Sequence, residues 1–325
     1  MWIKPLQIGN VTLQNNLILA PMAGVSDLPF RLLCTQQGAG MVCSEMISAK
    51  AILYNSKNTE DLMMIHPEEA PVSLQLFGSD PDIISEMAKR IEDRPFSILD
   101  INMGCPVPKV VNNGEGSALM KNPKLIGEIV EKTARAIQKP LTIKIRRGFD
   151  EEHVNAVEIA HIAQESGAAA IAVHGRTREQ FYAGKADWDI IAQVKQAVKI
   201  PVLGNGDVTD AQSARAMFEQ TGCDGILIGR GAQGNPWVFA EILGKLLDET
   251  SEYHKPDRKQ RYEMILRHAE MMVELKGEYI AIREMRKHVA WYTTGLPHAA
   301  RMRGRINEME TLEQLRTGMK ELFLS

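Results

Sequence analysis

Short apolar runs recur along this chain, each followed by a turn rich in glycine, asparagine or proline and then by a stretch whose apolar positions fall three or four apart. After an N-terminal hairpin (Leu6-Gln7-Ile8, the turn Gly9-Asn10, then Val11-Thr12-Leu13), eight such runs are found. They are Leu17 to Ala20, Met41 to Ser44, Val72 to Phe77, Ser97 to Asn102, Leu141 to Ile145, Ala169 to His174, Val202 to Gly204 and Gly225 to Ile228. Between them the spacing predicts helices over Asp80 to Ile91, Pro123 to Ile137, Val154 to Glu165, Trp188 to Val198 and Asp210 to Glu219, several opened by Asp, Asn or Pro. Parallel strands joined by helices are buried on both faces, and eight strand-helix units in this order predict a (β/α)8 TIM barrel.

Alternation within the runs places polar residues together. In Leu141-Thr142-Ile143-Lys144-Ile145 the apolar residues share one face, so Thr142 and Lys144 share the other. Ser73 and Gln75 oppose Val72, Leu74 and Leu76; Asp100 and Asn102 oppose Leu99 and Ile101; His174 opposes Ile171 and Val173. Each polar set lies toward the C-terminal end of its strand, the end at which barrels of this kind carry their sites. A polar residue satisfied at the barrel rim would explain any one of these. Gln75, Asn102, Cys105, Lys144 and His174 converging on one rim are better explained by a shared site.

Cys105 stands in Asn102-Met103-Gly104-Cys105-Pro106, at the end of the fourth run. Glycine and proline on either side set the thiol on a shaped turn, and Asn113-Gly114-Glu115-Gly116-Ser117 just beyond is expected to move. By itself such a cysteine also reads as a small buried core residue. The other cysteines, at 34, 43 and 223, form no C-x-x-C pair with it and no regular framework, so neither a zinc site nor a disulfide scaffold is expected.

The last two runs carry a different signal, ending in Gly204-Asn205-Gly206-Asp207 and Ile228-Gly229-Arg230-Gly231. Loops after the last two strands of a barrel commonly bind phosphate through exposed backbone N–H groups. Gly229-Arg230-Gly231-Ala232-Gln233-Gly234 also matches the dinucleotide pattern G-x-G-x-x-G, but the helix after it leads to no further parallel strand, so the βαβ unit that gives the pattern meaning is missing. A mononucleotide phosphate cradle with Arg230 as its cation fits better, with a ligand-free glycine turn as the bland alternative. A phosphorylated cofactor with a polar ring, such as flavin mononucleotide (FMN), would then lie near Gln75 and Lys144, where a lysine stabilises the anion formed when a flavin is reduced.

Taken together, Ala20-Pro21-Met22-Ala23-Gly24-Val25-Ser26-Asp27, Asn102 to Pro106, Lys144-Ile145-Arg146, His174-Gly175-Arg176-Thr177, Asn205-Gly206-Asp207 and Ile228-Gly229-Arg230 resemble the tRNA-dihydrouridine synthases, the bacterial B-type most closely. The six segments occur in the right order along essentially the whole chain. The resemblance implies that Pro21, Met22 and Ala23 line an FMN ring, with Gln75, Asn102, Lys144 and His174 around it. It implies that Asn205, Gly206, Asp207, Gly229 and Arg230 hold the FMN phosphate, and that Cys105 donates a proton. The implied reaction reduces the 5,6 double bond of uridine in tRNA, with hydride from FMN to C6 and a proton from Cys105 to C5. NADPH is the implied transient reductant, with NADH as the alternative. A free thiol with a pKa near 8.5 is mostly protonated at pH 7, as an acid should be.

Composition decides the rest. The 325 residues exceed the roughly 250 of a typical barrel, so the expectation is a catalytic barrel over 1–250 and a helical RNA-binding domain over 251–325. A net charge of −3 is not that of a bulk nucleic-acid binder, yet between His254 and Arg305 twelve Lys or Arg stand against six Asp or Glu. Arg176, Arg178, Arg283, Arg286 and Lys287 are the expected tRNA contacts, and Arg146, Arg147 and Lys185 could extend the track. No apolar run approaches the roughly 18 residues that cross a bilayer, and the N-terminus lacks signal-peptide order. A cytoplasmic monomer without metal is expected. Three other readings stay open: an FMN barrel acting on a free pyrimidine, a non-catalytic RNA-binding protein, and a phosphate-binding isomerase without flavin.

Overall fold

In the computed structural model, which describes residues 2–248, 253–297 and 299–324, β1 (Leu6–Ile8) and β2 (Val11–Leu13) pair antiparallel as a separate hairpin. The next eight strands are β3 (Leu17–Leu19), β4 (Met41–Ser48), β5 (Val72–Phe77), β6 (Ile98–Met103), β7 (Leu141–Arg146), β8 (Ala170–His174), β9 (Val202–Asn205) and β10 (Gly225–Ile228). All pair parallel with their neighbours and close as β10-β3-β4-β5-β6-β7-β8-β9. This is the expected (β/α)8 barrel, followed by a C-terminal helical region. The expected domain boundary at 250/251 lies outside the described residues.

The two faces of each strand meet different environments. Outward residues such as Leu74, Ile101, Ile143, Ile171 and Ile228 pack under the surrounding helices. Inward residues Ile18, Met41, Cys43, Ile98, Ala170, Ala172, Leu203 and Leu227 fill the lower barrel, together with Leu6, Ile8 and Leu13 of the hairpin. The hairpin therefore stoppers the N-terminal end of the barrel with apolar side chains. Toward the other end the inward positions turn polar: Ser73, Gln75, Asp100, Asn102, Thr142, Lys144 and His174.

Two boundaries differ from the sequence reading for visible reasons. β4 runs on to Ser48 because a register irregularity between Cys43 and Met46 lets it pair again with β5, Met46 opposite Gln75; polar Ser44 and Glu45 at that bulge read as a strand end. The helix expected from Val154 begins at Ala156, since Val154 is held in an isolated bridge with Gly148. Elsewhere the capping signals act as read: the Asp80 carboxylate accepts from the N–H groups of Asp82 and Ile83, and Asn122 and Asp210 cap their helices likewise.

The C-terminal region contains helices Arg258–Lys276, Glu278–Tyr292, Ala299–Ile306 and Leu312–Leu324, with a core of Ile265, Ala269, Met272, Ile282, Met285, Val289 and Phe323. Leu33 from the barrel helix Leu28–Gln36 belongs to this same core. Nearby, Phe30 stands 5.8 Å from both His268 and His288, whose ring centroids are 4.5 Å apart. The seam is also polar: Lys276 Nζ donates to Asp27 (2.8 Å) and Glu284 (2.7 Å). Gly234 has a positive φ of 66°, and a Cβ there would lie 2.4 Å from the Trp291 carbonyl carbon.

Candidate active site

At the C-terminal mouth of the barrel a cavity of about 650 Å³ is lined by residues from every barrel strand or the loop after it, among them Met22, Met46, Gln75, Asn102, Cys105, Lys144, His174, Asn205, Gly229 and Arg230. Pro21, Ala23, Gly206 and Asp207 also line it. All the residues expected to hold a cofactor, together with the expected proton donor, thus share one cavity.

The thiol turn is built from β6. Asn102 Oδ1 accepts from the N–H groups of Gly104 (3.1 Å) and Cys105 (2.8 Å). Gly104 lies flat against β7, where a Cβ would come within 3.2 Å of the Ile145 carbonyl carbon. The Cys105 carbonyl accepts from both Ser117 Oγ (2.8 Å) and Ser117 N–H (3.1 Å). The stretch 113–117, expected to move, is therefore tied at its end to the turn that carries the thiol. Gly116 is required there, because its φ is +59° and a Cβ would sit 2.9 Å from the Cys105 carbonyl oxygen. The thiol is 8% exposed, and burial pushes its pKa up, opposed by a Val107 backbone hydrogen bond and by Arg146 and Lys144. It is a protonated thiol at neutral pH.

Around the ring end of the cavity, Asn102 Nδ2 donates to Gln75 Oε1 at 2.9 Å, and Gln75 Nε2 donates to Asp100 at 2.6 Å. The Lys144 ammonium carries no hydrogen bond among the described residues, and burial, then Arg146, draw it down to about 8. Burial and the cations Lys144, Arg146, Arg176 and Arg230 push His174 well below the usual imidazole range, so it is neutral. Its Nε2 faces the Arg176 guanidinium at 3.4 Å. Guanidinium only donates, so Nε2 accepts and the ring proton sits on Nδ1.

The phosphate-like end is formed by the loops after β9 and β10. The N–H groups of Gly206, Gly229 and Arg230 carry no hydrogen bond among the described residues. Gly206 takes a φ of 125°, and a Cβ there would meet Ala186 at 2.6 Å and His174 at 3.1 Å. Arg230 lies over the Tyr182 ring at 4.6 Å. Free N–H groups beside a guanidinium suit an anion.

Three expectations change. The Asp207 carboxylate, expected at the phosphate, is turned away to Arg176 (2.8 Å), the Ala186 N–H (2.7 Å) and Arg230 (3.3 Å); it aligns the cations, and an anion could meet Asp207 only through its backbone. Arg176, expected on tRNA, is 2% exposed and bonded to Asp207 and the carbonyls of Ala183 and Gly184. Arg146, expected on the same track, is buried beneath the site, donating to the carbonyls of Gly104, Thr177 and Phe181. In a sequence these internal arginines look like surface charge. The other expected contacts, Arg178, Arg283, Arg286 and Lys287, are half-buried. Arg178 packs on Phe149, Arg283 lies over Tyr279 at 3.5 Å, Arg286 donates to the Met309 carbonyl, and Lys287 Nζ would sit 3.3 Å from a Cβ on Gly24.

The dihydrouridine synthase (Dus) family pattern matches residues 18–324. The chain belongs to the dihydrouridine synthase family. It is 44% identical over 98% of its length to the tRNA-dihydrouridine synthase B of Pseudomonas aeruginosa, covering 96% of that protein. It is 41% identical to a probable tRNA-dihydrouridine synthase of Rickettsia conorii, covering 98% of this chain and 97% of the relative. Among solved structures, morphinone reductase superposes with a TM-score of 0.52 at 14% identity, covering 79% of this chain and 91% of that one. Histamine dehydrogenase from Rhizobium sp. 4-9 gives 0.56 at 13% identity, covering 88% and 51%. At such identities these two share the barrel fold alone. Among the described residues no helix is long and apolar enough to cross a membrane, and no group of three His, Cys, Asp or Glu is placed to hold a metal ion.

Proposed function

We propose that this protein reduces the 5,6 double bond of uridine in tRNA to give 5,6-dihydrouridine, using bound FMN and NADPH as the transient reductant. The observation that carries the reading is a protonated thiol, Cys105, and an unpartnered lysine amine, Lys144, facing one cavity whose far end is an anion cradle. A flavin mononucleotide suits that donor set: its phosphate would meet the free N–H groups of Gly206, Gly229 and Arg230 and the Arg230 guanidinium, and its ring would lie among Pro21, Met22, Ala23, Gln75, Lys144 and His174. When bound and reduced, it supplies the hydride that adds at C6.

The chain's own groups do the rest. Cys105 holds a proton and gives it to C5, where the second new bond forms; burial keeps that proton on the thiol until a base arrives. Lys144 presents positive charge to the electron-rich edge of the ring. Gln75, with Asp100 behind it, offers an amide of fixed direction. Residues 1–250 hold the cofactor and 251–325 bind tRNA, with Arg283, Arg286 and Lys287 as contacts there and Arg178 as one from the barrel; Lys287 lies beside Gly24, whose neighbours Ala23 and Val25 line the cavity. A uridine inside folded RNA has to leave its stack to enter.

The test is to map dihydrouridine in tRNA from cells lacking the protein and add back the purified chain with NADPH. Restoration of the missing positions, with flavin absorbance in the purified protein, is the expected result; a colourless protein that restores nothing refutes the reading. The excess of Lys and Arg in the helical region favours RNA over a free pyrimidine, and turnover of uracil or orotate in place of tRNA would reverse that choice.

A further inference from the structure

Asp100 is a buried carboxylate beneath the site. It points into the barrel from β6, is 6% exposed, and accepts from Thr142 Oγ1 and Gln75 Nε2, both at 2.6 Å. Burial raises the Asp100 pKa, and the hydrogen bonds from Gln75 and Thr142 and the charge of Lys144 oppose that rise; with a donor on each carboxylate oxygen, the Gln75 amide turns its nitrogen toward Asp100. Its oxygen then faces Asn102 Nδ2, which leaves Asn102 Oδ1 for the N–H groups of Gly104 and Cys105. A single acceptor at the base thereby sets the direction of both amides above it; turning either one would put donor against donor.

Lys144 is the second neighbour. It stands opposite Asn102 in the β6–β7 register. The titratable and charged groups that face it are Arg146 on its own strand, Asp100 and Cys105 on β6 and its turn, Cys43 on β4 and His174 on β8. Asp100 is the one carboxylate in that set. The other groups are cationic, neutral, or thiols that keep their protons at neutral pH.

Resting on the flavin reading above, we propose that Asp100 is a positioning residue for the same reaction: it orients the Gln75–Asn102 amide chain that joins the flavin edge to the thiol turn, and it supplies the counter-charge to Lys144. Two functions otherwise treated as separate, tuning the cofactor and placing the proton donor, are then governed from one buried carboxylate. Because the Lys144 ammonium already lies near about 8, loss of that counter-charge deprotonates it within the working pH range.

The test is Asp100→Asn in the full chain loaded with FMN, which keeps the shape and removes the charge. Measured quantities are the flavin midpoint potential against pH, FMN affinity, and single-turnover reduction of uridine in tRNA. The break in the potential–pH curve should move down by a pH unit or more. Uridine reduction should fall at least tenfold at pH 7.5 and recover in part at pH 6, with FMN affinity changed less than threefold. An unmoved break with an unchanged rate overturns the proposal. Should Asp100→Asn fail to fold, Thr142→Val removes one donor to the same carboxylate: a threefold or larger loss, with at least half the rate recovered in Thr142→Ser, supports the proposal, and equal rates in Thr142→Val and the parent chain overturn it. A folded protein that takes up no flavin overturns the cofactor reading as well, whereas flavin binding without these effects overturns this proposal alone.

Discussion

The backbone N–H of Cys105 donates to the side-chain oxygen of Asn102 at 2.8 Å, and the same oxygen receives the Gly104 N–H. The thiol turn is thus shaped by a side chain from its own strand. Asn102→Ala orphans two buried N–H groups and the Gln75 oxygen, each costing about 1–3 kcal/mol if nothing replaces the bond. The expected outcome is a lower urea midpoint and uridine reduction at least tenfold slower, with the flavin still reducible by NADPH, checked by stopped-flow absorbance and product mapping.

Cys105→Ala should retain FMN and its reduction and lose dihydrouridine formation by about 10²–10⁴-fold, the range for removing a positioned acid. The sign of the pH effect follows from the raised thiol pKa: the protonated form is the active one, so on the thiol's account the rate is flat from pH 6 to 8. It declines only above the ordinary thiol value of about 8.5. A rate that rises through pH 8 would count against the thiol as acid.

His268 and His288 are fully buried at the seam between the barrel and the helical region, and burial draws His268 down to about 4 and His288 well below the usual range. Both are neutral in the folded protein, while the unfolded chain protonates them below about 6.5. Their contribution is complete above that pH and is lost as pH falls toward 4, by up to about 1.4 kcal/mol per pH unit for each histidine. Urea unfolding at pH 7 and pH 5 measures this loss, and His268→Phe with His288→Phe should flatten it.

Gly234→Ala combines a left-handed φ with a Cβ set against the backbone of Trp291, so it should cost more than Gly222→Ala, whose φ is +63° and whose Cβ would meet nothing within 4 Å. The latter should lose only the left-handed penalty of about 1–2 kcal/mol. The former should also displace the end of helix Glu278–Tyr292 and weaken tRNA binding severalfold, measured by filter binding beside thermal melts of both variants.

Much of this was legible in the chain because a barrel strand declares its two faces: Leu141, Ile143 and Ile145 alternate with Thr142 and Lys144, and position along the strand then tells rim from floor. Asp100 shared a face with Asn102 in the same pattern and could have been singled out by that signal. The arginines could not. Arg146, Arg176 and Arg178 look alike as letters, and whether a guanidinium lies under carbonyls or faces solvent depends on loops from other strands, here Thr177 to Gly184. The reach of β4 past Ser44 was hidden for a related reason, since a bulge breaks the alternation from which strand ends are read.

The apolar stopper made by Leu6, Ile8 and Leu13 leaves the mouth as the way in among the described residues. On the proposed reaction, reductant and RNA base would both reach Lys144 and Cys105 through one doorway, and a nicotinamide lying over the ring would fill the place a uracil needs. The two visitors therefore take turns: double-reciprocal plots of rate against NADPH at several tRNA concentrations should be parallel lines, and excess of either should inhibit by occupying the doorway out of turn.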